Sequence, residues 1–309
     1  MAEPLSALSN PLVTPDQLTT TSSQLDGILA DLEASLRFTG AQLTQAAGIL
    51  LHLPQELIVQ AIVLFYRFYV GSEGGSFLIN SVQDVSAACI YLVAKPSFHP
   101  QPPRSVLNVY AYLTSSVSPL RSNFDQVSSE KPDPKSYYVS EGEYISRRST
   151  LLQTESIVLR AISFTTQVKA PHTLALTYLQ TLSVLPNPPT DKSKALARRT
   201  LEHLNTALFS PQLLYLTHQP NGLAIAAIYL AAREVGQKLT AGEWWEVFDV
   251  DREELGFLVV GLGSVEGWVK KEMEERGADG RLMVTVKDVE EELARRRKEE
   301  GAGTNNVED

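Results

Sequence analysis

The sequence predicts an all-α protein with two similar helical domains, and three observations lead to this fold class. Apolar residues recur at the three- and four-residue spacing of helices along most of the chain, and strand-like alternation is confined to residues 282–286. A nine-residue apolar segment occurs twice. Helix-start signals, in which a polar residue is followed three residues later by an acid, recur as Ser81 with Asp84, Ser140 with Glu143, Thr240 with Glu243 and Asp251 with Glu254.

The repeated segment reads Ala-Ala-Cys-Ile-Tyr-Leu-Val-Ala-Lys at 87–95 and Ile-Ala-Ala-Ile-Tyr-Leu-Ala-Ala-Arg at 225–233. Five of the nine positions are identical, and the second copy starts 138 residues after the first. Small residues let neighbouring helices approach closely, so each copy suits the central helix of a bundle. The repeat therefore predicts two related all-α domains.

Helices are expected to fill most of the chain after a polar N-terminus. The first 23 residues are rich in Ser, Thr and Pro and predict a tail. Apolar periodicity and helix-compatible prolines then predict helices over residues 25–36, 43–50, 54–70, 82–95 and 144–164. The helix that begins at Pro54 is apolar nearly all round, as expected for a helix surrounded by others. Gly236 and Gly277 fit helix ends.

Two segments interrupt this pattern. Residues 115–140 are polar, contain three prolines and show little periodicity, which predicts a mobile insertion. The run over residues 290–300 is highly charged and is typical of a solvated helix. Its basic string, residues 295–298, is also a candidate nuclear-import signal, but acidic residues flank it on both sides.

The composition excludes several classes of protein. Of the 309 residues 43% are hydrophobic, which is enough for a core and too many for a wholly disordered chain. The net charge of −9 argues against broad electrostatic binding to nucleic acid or anionic membranes. The single cysteine, Cys89, excludes an internal disulfide and a metal site built from cysteines. Because neither a membrane-spanning run nor a secretory signal is visible, we expect a soluble protein of a reducing compartment.

The sequence contains no recognisable catalytic or cofactor-binding motif, so we predict no catalytic residue, cofactor or metal. P-loop, HExxH, CxxC and GxSxG patterns are all missing. Gly261, Gly263 and Gly267 are spaced one residue too far apart for a dinucleotide fingerprint and better fit helix packing or a helix break. The five histidines are scattered and suit surface or cap positions better than metal ligation. An all-α enzyme is the least favoured function.

Two charged residues lie at unusual positions. On a helical wheel of residues 144–164, Glu155 lies in the middle of an apolar stripe, between Leu151 and Leu159. Since burying an unpaired carboxylate is costly, Glu155 must be paired, hydrogen-bonded or exposed at a binding surface. Lys95 ends an apolar helix, where a cation interacts favourably with the helix dipole. On these criteria alone a structural role is favoured for both residues.

Seven segments together resemble the cyclins, and in particular the transcription-type cyclins L, K and Q. They are LHLPQEL at 51–57, LFYRFY at 64–69, AACIYLVAK at 87–95, ESIVLRAISF at 155–164, PH at 171–172, IAAIYLAAR at 225–233 and WWEVF at 244–248. The resemblance implies two tandem cyclin boxes of five helices each. The expected boundaries are a tail and helix over 1–36, a first box over 37–165 with the insertion 115–140, a second box over 166–275, and a charged tail over 276–309.

The resemblance also changes the interpretation of the two charged residues. In cyclins, a lysine that ends the third helix and a glutamate in the fifth helix of the first box contact the C-helix region of a kinase. Lys95 and Glu155 match these positions, so the resemblance implies that they bind a kinase, with Leu92 and Leu159 adding apolar contact. The family lysine is usually followed by a hydrophobic residue and two acids, whereas Pro-Ser-Phe-His follows at 96–99 here, which alters part of the contact.

The function implied by the resemblance is that of a regulatory subunit, not an enzyme. Such a cyclin forms a heterodimer with a cyclin-dependent kinase linked to transcription or RNA processing. It activates the kinase by favouring the state in which the C-helix glutamate reaches the ATP-orienting lysine. A nuclear location, alone or with a cytoplasmic pool, and no direct contact with nucleic acid or membrane are expected. A cyclin-fold general transcription factor, which would need a basic groove, and a kinase-independent helical scaffold stay open as alternatives.

Overall fold

The computed structural model describes residues 9–115, 118, 120, 134–239, 242–279 and 282–304. Within these ranges the regular secondary structure is helical and contains no strand, so the predicted all-α class is confirmed. Residues 282–284, where the sequence predicts the start of a strand, are irregular, and a helix begins at Val286. Most of the predicted insertion 115–140 lies outside the described residues. None of the described helices is long and apolar enough to cross a membrane.

The chain divides into two compact units. Of the described residues, the first unit contains those within 15–166 and 274–304, and the second unit contains those within 9–14 and 167–273. In chain order the helices are α1 (Pro15–Thr19), α2 (Ser22–Leu25), α3 (Ala30–Leu50), α4 (Gln55–Val70), α5 (Val82–Ala94), α6 (Pro103–Thr114), α7 (Glu141–Ala161), α8 (Pro171–Thr181), α9 (Asp191–Ala207), α10 (Leu214–Thr217), α11 (Pro220–Val235), α12 (Arg252–Asp279) and α13 (Val286–Thr304). Helices α1–α7 and α13 belong to the first unit, and α8–α11 with most of α12 belong to the second.

Helix α5, which carries the first copy of the repeat, is the central helix of the first unit. It packs against α3, α4, α6 and α7, and every residue from Val85 to Ala94 is buried. The alanines of this segment let the surrounding helices approach closely, as the repeat predicts. Cys89 lies within the same helix as a free thiol, and burial raises the pKa of that thiol.

Helix α11, which carries the second copy, has the corresponding place in the second unit. It packs against α8 and α9, and its residues from Gly222 to Ile228 are buried. The helix ends at Gly236, whose φ of 68° lies in the left-handed region that favours glycine. The helix end predicted at Gly236 is therefore confirmed, whereas Gly277 lies inside α12.

A single long helix, α3, replaces the two helices expected over 25–36 and 43–50. Gly40 lies near its middle, where a Cβ atom would overlap the ring of Phe65 on α4. Glycine in a helix interior costs roughly 0.5–1 kcal/mol relative to alanine. Here that cost is offset because the missing side chain makes room for a fully buried aromatic ring.

Three of the four predicted helix-start signals form the expected caps. Ser81 Oγ accepts a hydrogen bond from Asp84 N at 3.1 Å, Ser140 Oγ accepts one from Glu143 N at 3.3 Å, and Asp251 Oδ1 accepts one from Glu254 N at 2.7 Å. Thr240, in the fourth signal, lies outside the described residues. Each bond satisfies a backbone N–H that has no partner within its own helix.

Residues 9–23 make specific contacts, whereas the sequence predicts a tail. In the second unit, the side chain of Asn10 donates to Lys169 O at 2.9 Å and accepts from Lys169 N at 2.8 Å. The backbone of Asn10 is in turn hydrogen-bonded to the Gln219 side chain. In the first unit, Thr21 Oγ1 donates to the buried carboxylate of Glu33 at 2.9 Å. The partners of Asn10 lie 159 and 209 residues away in sequence, so local composition does not reveal them.

The charged helix α13 packs one face onto the first unit, whereas the sequence predicts a solvated helix. Val289 and Leu293 are buried, and Gln83 N donates to Val284 O at 3.0 Å just before the helix starts. Arg296 forms ion pairs with Asp31 and with Glu292. Within residues 290–298 the solvated face is therefore the outer one, and it includes residues 297–298 of the basic string.

Candidate partner-binding site

The structure brings Lys95 and Glu155 together at the surface of the first unit. Lys95 follows the last residue of α5, and Glu155 lies in the second half of α7, which packs against α5. Lys95 Nζ donates to Glu155 Oε1 at 3.2 Å. The lysine side chain is 57% exposed and the glutamate side chain 11% exposed. The pair therefore satisfies the carboxylate that the sequence places in an apolar stripe, and it leaves the ammonium group open to solvent.

Lys95 makes two further contacts, one through its backbone and one through its side chain. Lys95 N donates to Tyr91 O at 3.0 Å, so the residue closes the last turn of α5. Lys95 Nζ also lies 5.3 Å from the centre of the Tyr91 ring, within the range of a cation–π contact. An ammonium group has three donors. The Lys95–Glu155 bond uses one of them, so the group can still donate to acceptors of a partner.

The two leucines expected beside this pair differ in accessibility. Leu92 is only 5% exposed and belongs to the core around α5. Leu159 is half-buried on α7, one turn after Glu155. Of the four residues that the sequence singles out, Lys95 and Leu159 thus reach the surface. Glu155 is mostly buried beneath Lys95, and Leu92 supports the surface from below.

Phe164 is a surface residue that the sequence pattern does not single out. It is 69% exposed in the turn that follows α7, three residues after the helix ends, and its backbone N donates to Leu159 O at 2.8 Å. Ser163 and Phe164 both have left-handed backbones, with φ of 50° and 59°. Such conformations are rare for non-glycine residues and often mark functional positions. The sequence offers only a weak signal, because an apolar residue after a helix is more often buried.

Three of the five histidines make side-chain contacts within the protein. His172 Nε2 is 2.9 Å from Asn205 Oδ1, His203 Nε2 is 3.1 Å from Glu234 Oε1, and His218 Nδ1 is 2.9 Å from Thr217 Oγ1. Across the described ranges, no group of three or more His, Cys, Asp or Glu side chains is arranged to hold a metal ion. The surface around Lys95 and Glu155 thus offers hydrogen bonds and apolar contact to a partner.

Comparison with known proteins finds similarity to L-type cyclins over most of the chain. Cyclin-L2 of Mus musculus is 33% identical over 252 residues, which cover 81% of this chain and 44% of that protein. Cyclin-L2 of Homo sapiens is 30% identical over 294 residues, which cover 95% of this chain and 52% of that protein. Cyclin-L1 of Homo sapiens is 31% identical over 249 residues, which cover 80% of this chain and 43% of that protein. The chain therefore spans about half the length of the curated relatives it matches.

A solved structure shares the fold. A chain of the crystal structure of the yeast RNA Pol II CTD kinase CTDK-1 complex matches with a TM-score of 0.63 at 12% identity, and the match covers 90% of this chain and 86% of that chain. At this identity the likeness concerns the fold alone. No family model matches the sequence.

Proposed function

We propose that this chain, which belongs to the cyclin family by sequence similarity and by fold, is the regulatory subunit of a cyclin-dependent protein kinase linked to transcription or RNA processing. In this proposal the chain carries out no chemistry, and the two cyclin boxes are residues 37–165 and 166–275. The observation that supports it most is the Lys95–Glu155 pair, whose lysine is exposed, since each member matches a position through which cyclins contact a kinase.

The contact follows from the chemistry of the two side chains. The Lys95 ammonium group keeps donors for backbone carbonyls of the kinase, and the Glu155 carboxylate can accept from N–H groups at its exposed edge. Leu159 and Phe164 add apolar area beside them, and the buried Leu92 holds the end of α5 in place. The polar pair helps to fix the orientation of a partner, and the apolar residues add area that is buried on binding.

Activation would follow from a shift between two kinase conformations. A cyclin that binds only the conformation with a correctly placed C-helix glutamate raises the population of that conformation. The shift equals the difference in binding free energy between the two conformations. The rigid placement of Lys95 and Glu155 on two packed helices suits this task, because a preformed surface discriminates between conformations at little entropic cost.

A nuclear location forms part of the same proposal. The CTDK-1 complex is described as an RNA Pol II CTD kinase, and a subunit with a transcription-linked role works in the nucleus. Arg297 and Lys298 are exposed on α13, whereas Arg295 and Arg296 are bonded to Glu292. Imaging of a fluorescent fusion before and after substitution of residues 297–298 tests both the location and the import signal.

Affinity purification with mass spectrometry tests the kinase proposal directly. We expect a protein kinase to co-purify with the full chain, and its recovery to fall at least about tenfold for Lys95→Ala plus Glu155→Ala. The matched control is Arg104→Ala plus Glu141→Ala, which removes an exposed ion pair between α6 and α7 of the same unit. Kinase recovery should be unchanged in this control.

Two results would contradict the proposal. One is a wild-type purification that contains no protein kinase, and the other is a recovered kinase whose activity does not depend on the chain. Equal recovery with the wild type and the Lys95–Glu155 double variant would leave a kinase partner in place but show that these residues do not contact it. Circular dichroism of each variant confirms that the fold is retained.

A further inference from the structure

Phe98 is an aromatic side chain presented entirely to solvent. It is 102% exposed, the highest value among the large apolar residues that the structure describes. It lies three residues after Lys95, in the turn that joins α5 to α6. Single exposed apolar residues are common on protein surfaces, so exposure by itself carries no conclusion. The conclusion depends on how this turn is held and on what surrounds it.

The turn that carries Phe98 is held by hydrogen bonds of the residues before and after it in sequence. Ser97 N and Ser97 Oγ both donate to Ala94 O, at 3.1 and 2.8 Å, and Ser97 Oγ accepts from His99 N at 3.0 Å. Prolines at 96, 100, 102 and 103 limit the backbone further. Phe98 therefore lies on a preformed turn, so little conformational entropy is lost when a partner covers it.

The turn that carries Phe98 is tied to a helix end that also exposes apolar side chains. Gln101 Nε2 donates to Leu51 O at 3.1 Å, which ties the turn to the end of α3. At that end of α3, Ile49 is 57% exposed and Leu50 is 43% exposed. We call Ile49, Leu50 and Phe98 the Phe98 patch. Lys95 lies in the same turn, so the patch adjoins the Lys95–Glu155 pair.

We propose that the Phe98 patch is the specificity-determining part of the kinase-binding surface, with the Phe98 ring seated in an apolar pocket of the catalytic subunit. This inference rests on the proposed function. The charge around the patch defines the chemistry of that pocket, because residues 95–102 contain a lysine and a histidine but no acid. The pocket should be bordered by carbonyl or carboxylate oxygens that accept from Lys95. A kinase with a basic or polar surface here would leave its own groups desolvated and would bind poorly.

The test uses the full chain and the catalytic subunit that co-purifies with it, expressed on its own. Binding is measured by biolayer interferometry for the wild type, Phe98→Ala, Phe98→Leu and Ile79→Ala. Ile79 is the matched control, since it is a 74% exposed apolar residue that precedes the opposite end of α5. We expect Phe98→Ala to weaken binding by about 30-fold, as for a hot-spot residue, Phe98→Leu to recover part of the loss, and Ile79→Ala to bind like the wild type.

The outcomes separate this inference from the proposed function. If the wild type binds the kinase and Phe98→Ala binds equally well, the inference is wrong and the proposed function stands. If Phe98→Ala and Ile79→Ala weaken binding equally, the effect is not specific to the patch and the inference is also wrong. If no kinase is recovered with the wild type, both the inference and the proposed function are wrong. Light scattering of the chain alone tests whether a second copy of the chain, instead of a kinase, binds the Phe98 patch. A wild-type dimer that Phe98→Ala makes monomeric would overturn the proposal.

Discussion

The two copies of the repeat, in α5 and α11, share a core and differ at their C-terminal ends. In both copies a cation lies over the tyrosine one turn earlier, with Lys95 at 5.3 Å from the Tyr91 ring and Arg233 at 5.9 Å from the Tyr229 ring. Lys95 is paired with Glu155, whereas Arg233 forms no ion pair within the described part of the chain. The same local sequence thus gives a paired cation in one unit and an unpaired one in the other.

The chain also leaves the two helices in different ways. After α11, Gly236 takes a left-handed backbone and Gln237 N returns to Ala232 O at 2.9 Å, which is a compact glycine stop. After α5, Pro96 follows Lys95 directly and the chain enters the turn that carries Phe98. The shared residues therefore account for the core of each unit, and the differing ends place a candidate binding surface on the first unit alone.

The largest difference expected between the units concerns a glycine that faces a neighbouring helix. Gly40→Ala should lower the free energy of unfolding of the first unit by about 3 kcal/mol, because the new methyl group meets the fully buried ring of Phe65. Gly222→Ala in the second unit should cost less than about 1 kcal/mol. There the nearest atoms are Glu254 Oε1 at 2.8 Å and Leu258 Cδ1 at 3.0 Å, which are the ends of flexible side chains.

Denaturant titration of the single variants measures both values. Gly263→Ala is the control for helix propensity, since a Cβ atom there meets nothing within 4 Å, and it should stabilise α12 by about 0.5–1 kcal/mol. If Gly40→Ala and Gly222→Ala cost the same, the first unit is not packed more tightly around its glycine than the second.

Gly40 also shows why the sequence predicts which segments are helical more accurately than it predicts helix lengths. The apolar spacing on either side of this glycine correctly indicates helix, but it predicts two helices, over 25–36 and 43–50. The structure keeps one helix because Phe65, on a different helix, fills the space that a side chain would need. That partner is distant in sequence, so no local pattern contains the information.

The chain ends illustrate the same limit. Residues 9–23 have the composition of a tail, but Asn10 is held by Lys169 and Gln219, which are about 160 and 210 residues away. Helix α13 has the composition of a solvated helix, but Val289 and Leu293 are enough to anchor one face. Composition indicates the average environment of a segment, and a few long-range contacts decide whether it docks.

An intermediate effect is expected from removing the cation at the end of each repeat. Lys95→Ala should lower the free energy of unfolding by about 1 kcal/mol, because it leaves the mostly buried Glu155 carboxylate without its partner. Arg233→Ala should change it by less than about 0.5 kcal/mol. A double-mutant cycle with Glu155→Gln measures the coupling, and additive effects of Lys95→Ala and Glu155→Gln would show that the pair contributes nothing to stability.

The candidate site is predictable from sequence only through the cyclin resemblance. Helical spacing places Glu155 among apolar residues and so raises the question of its partner, but it does not identify Lys95 as the answer. The resemblance singles out both residues, and the structure gives the 3.2 Å bond between them. The resemblance does not single out Phe98 or Phe164. Their exposure depends on turn geometry that the spacing of apolar residues does not encode.

The smallest expected effect concerns the pH dependence of stability, and it comes from one histidine of the second unit. Burial lowers the pKa of His218, in the second unit, below its ordinary value of 6.5. The folded state therefore holds the neutral ring, and the unfolded state takes up a proton as the pH falls below about 6.5. The stability that His218 contributes is present above pH 6.5 and is lost as the pH falls from there toward the folded pKa. His218→Gln should flatten the pH dependence of the unfolding midpoint between about pH 7.5 and 5.5. Because the cause is desolvation, the difference should persist in about 1 M NaCl, which screens exposed charges, and its disappearance in salt would assign it to surface charges instead.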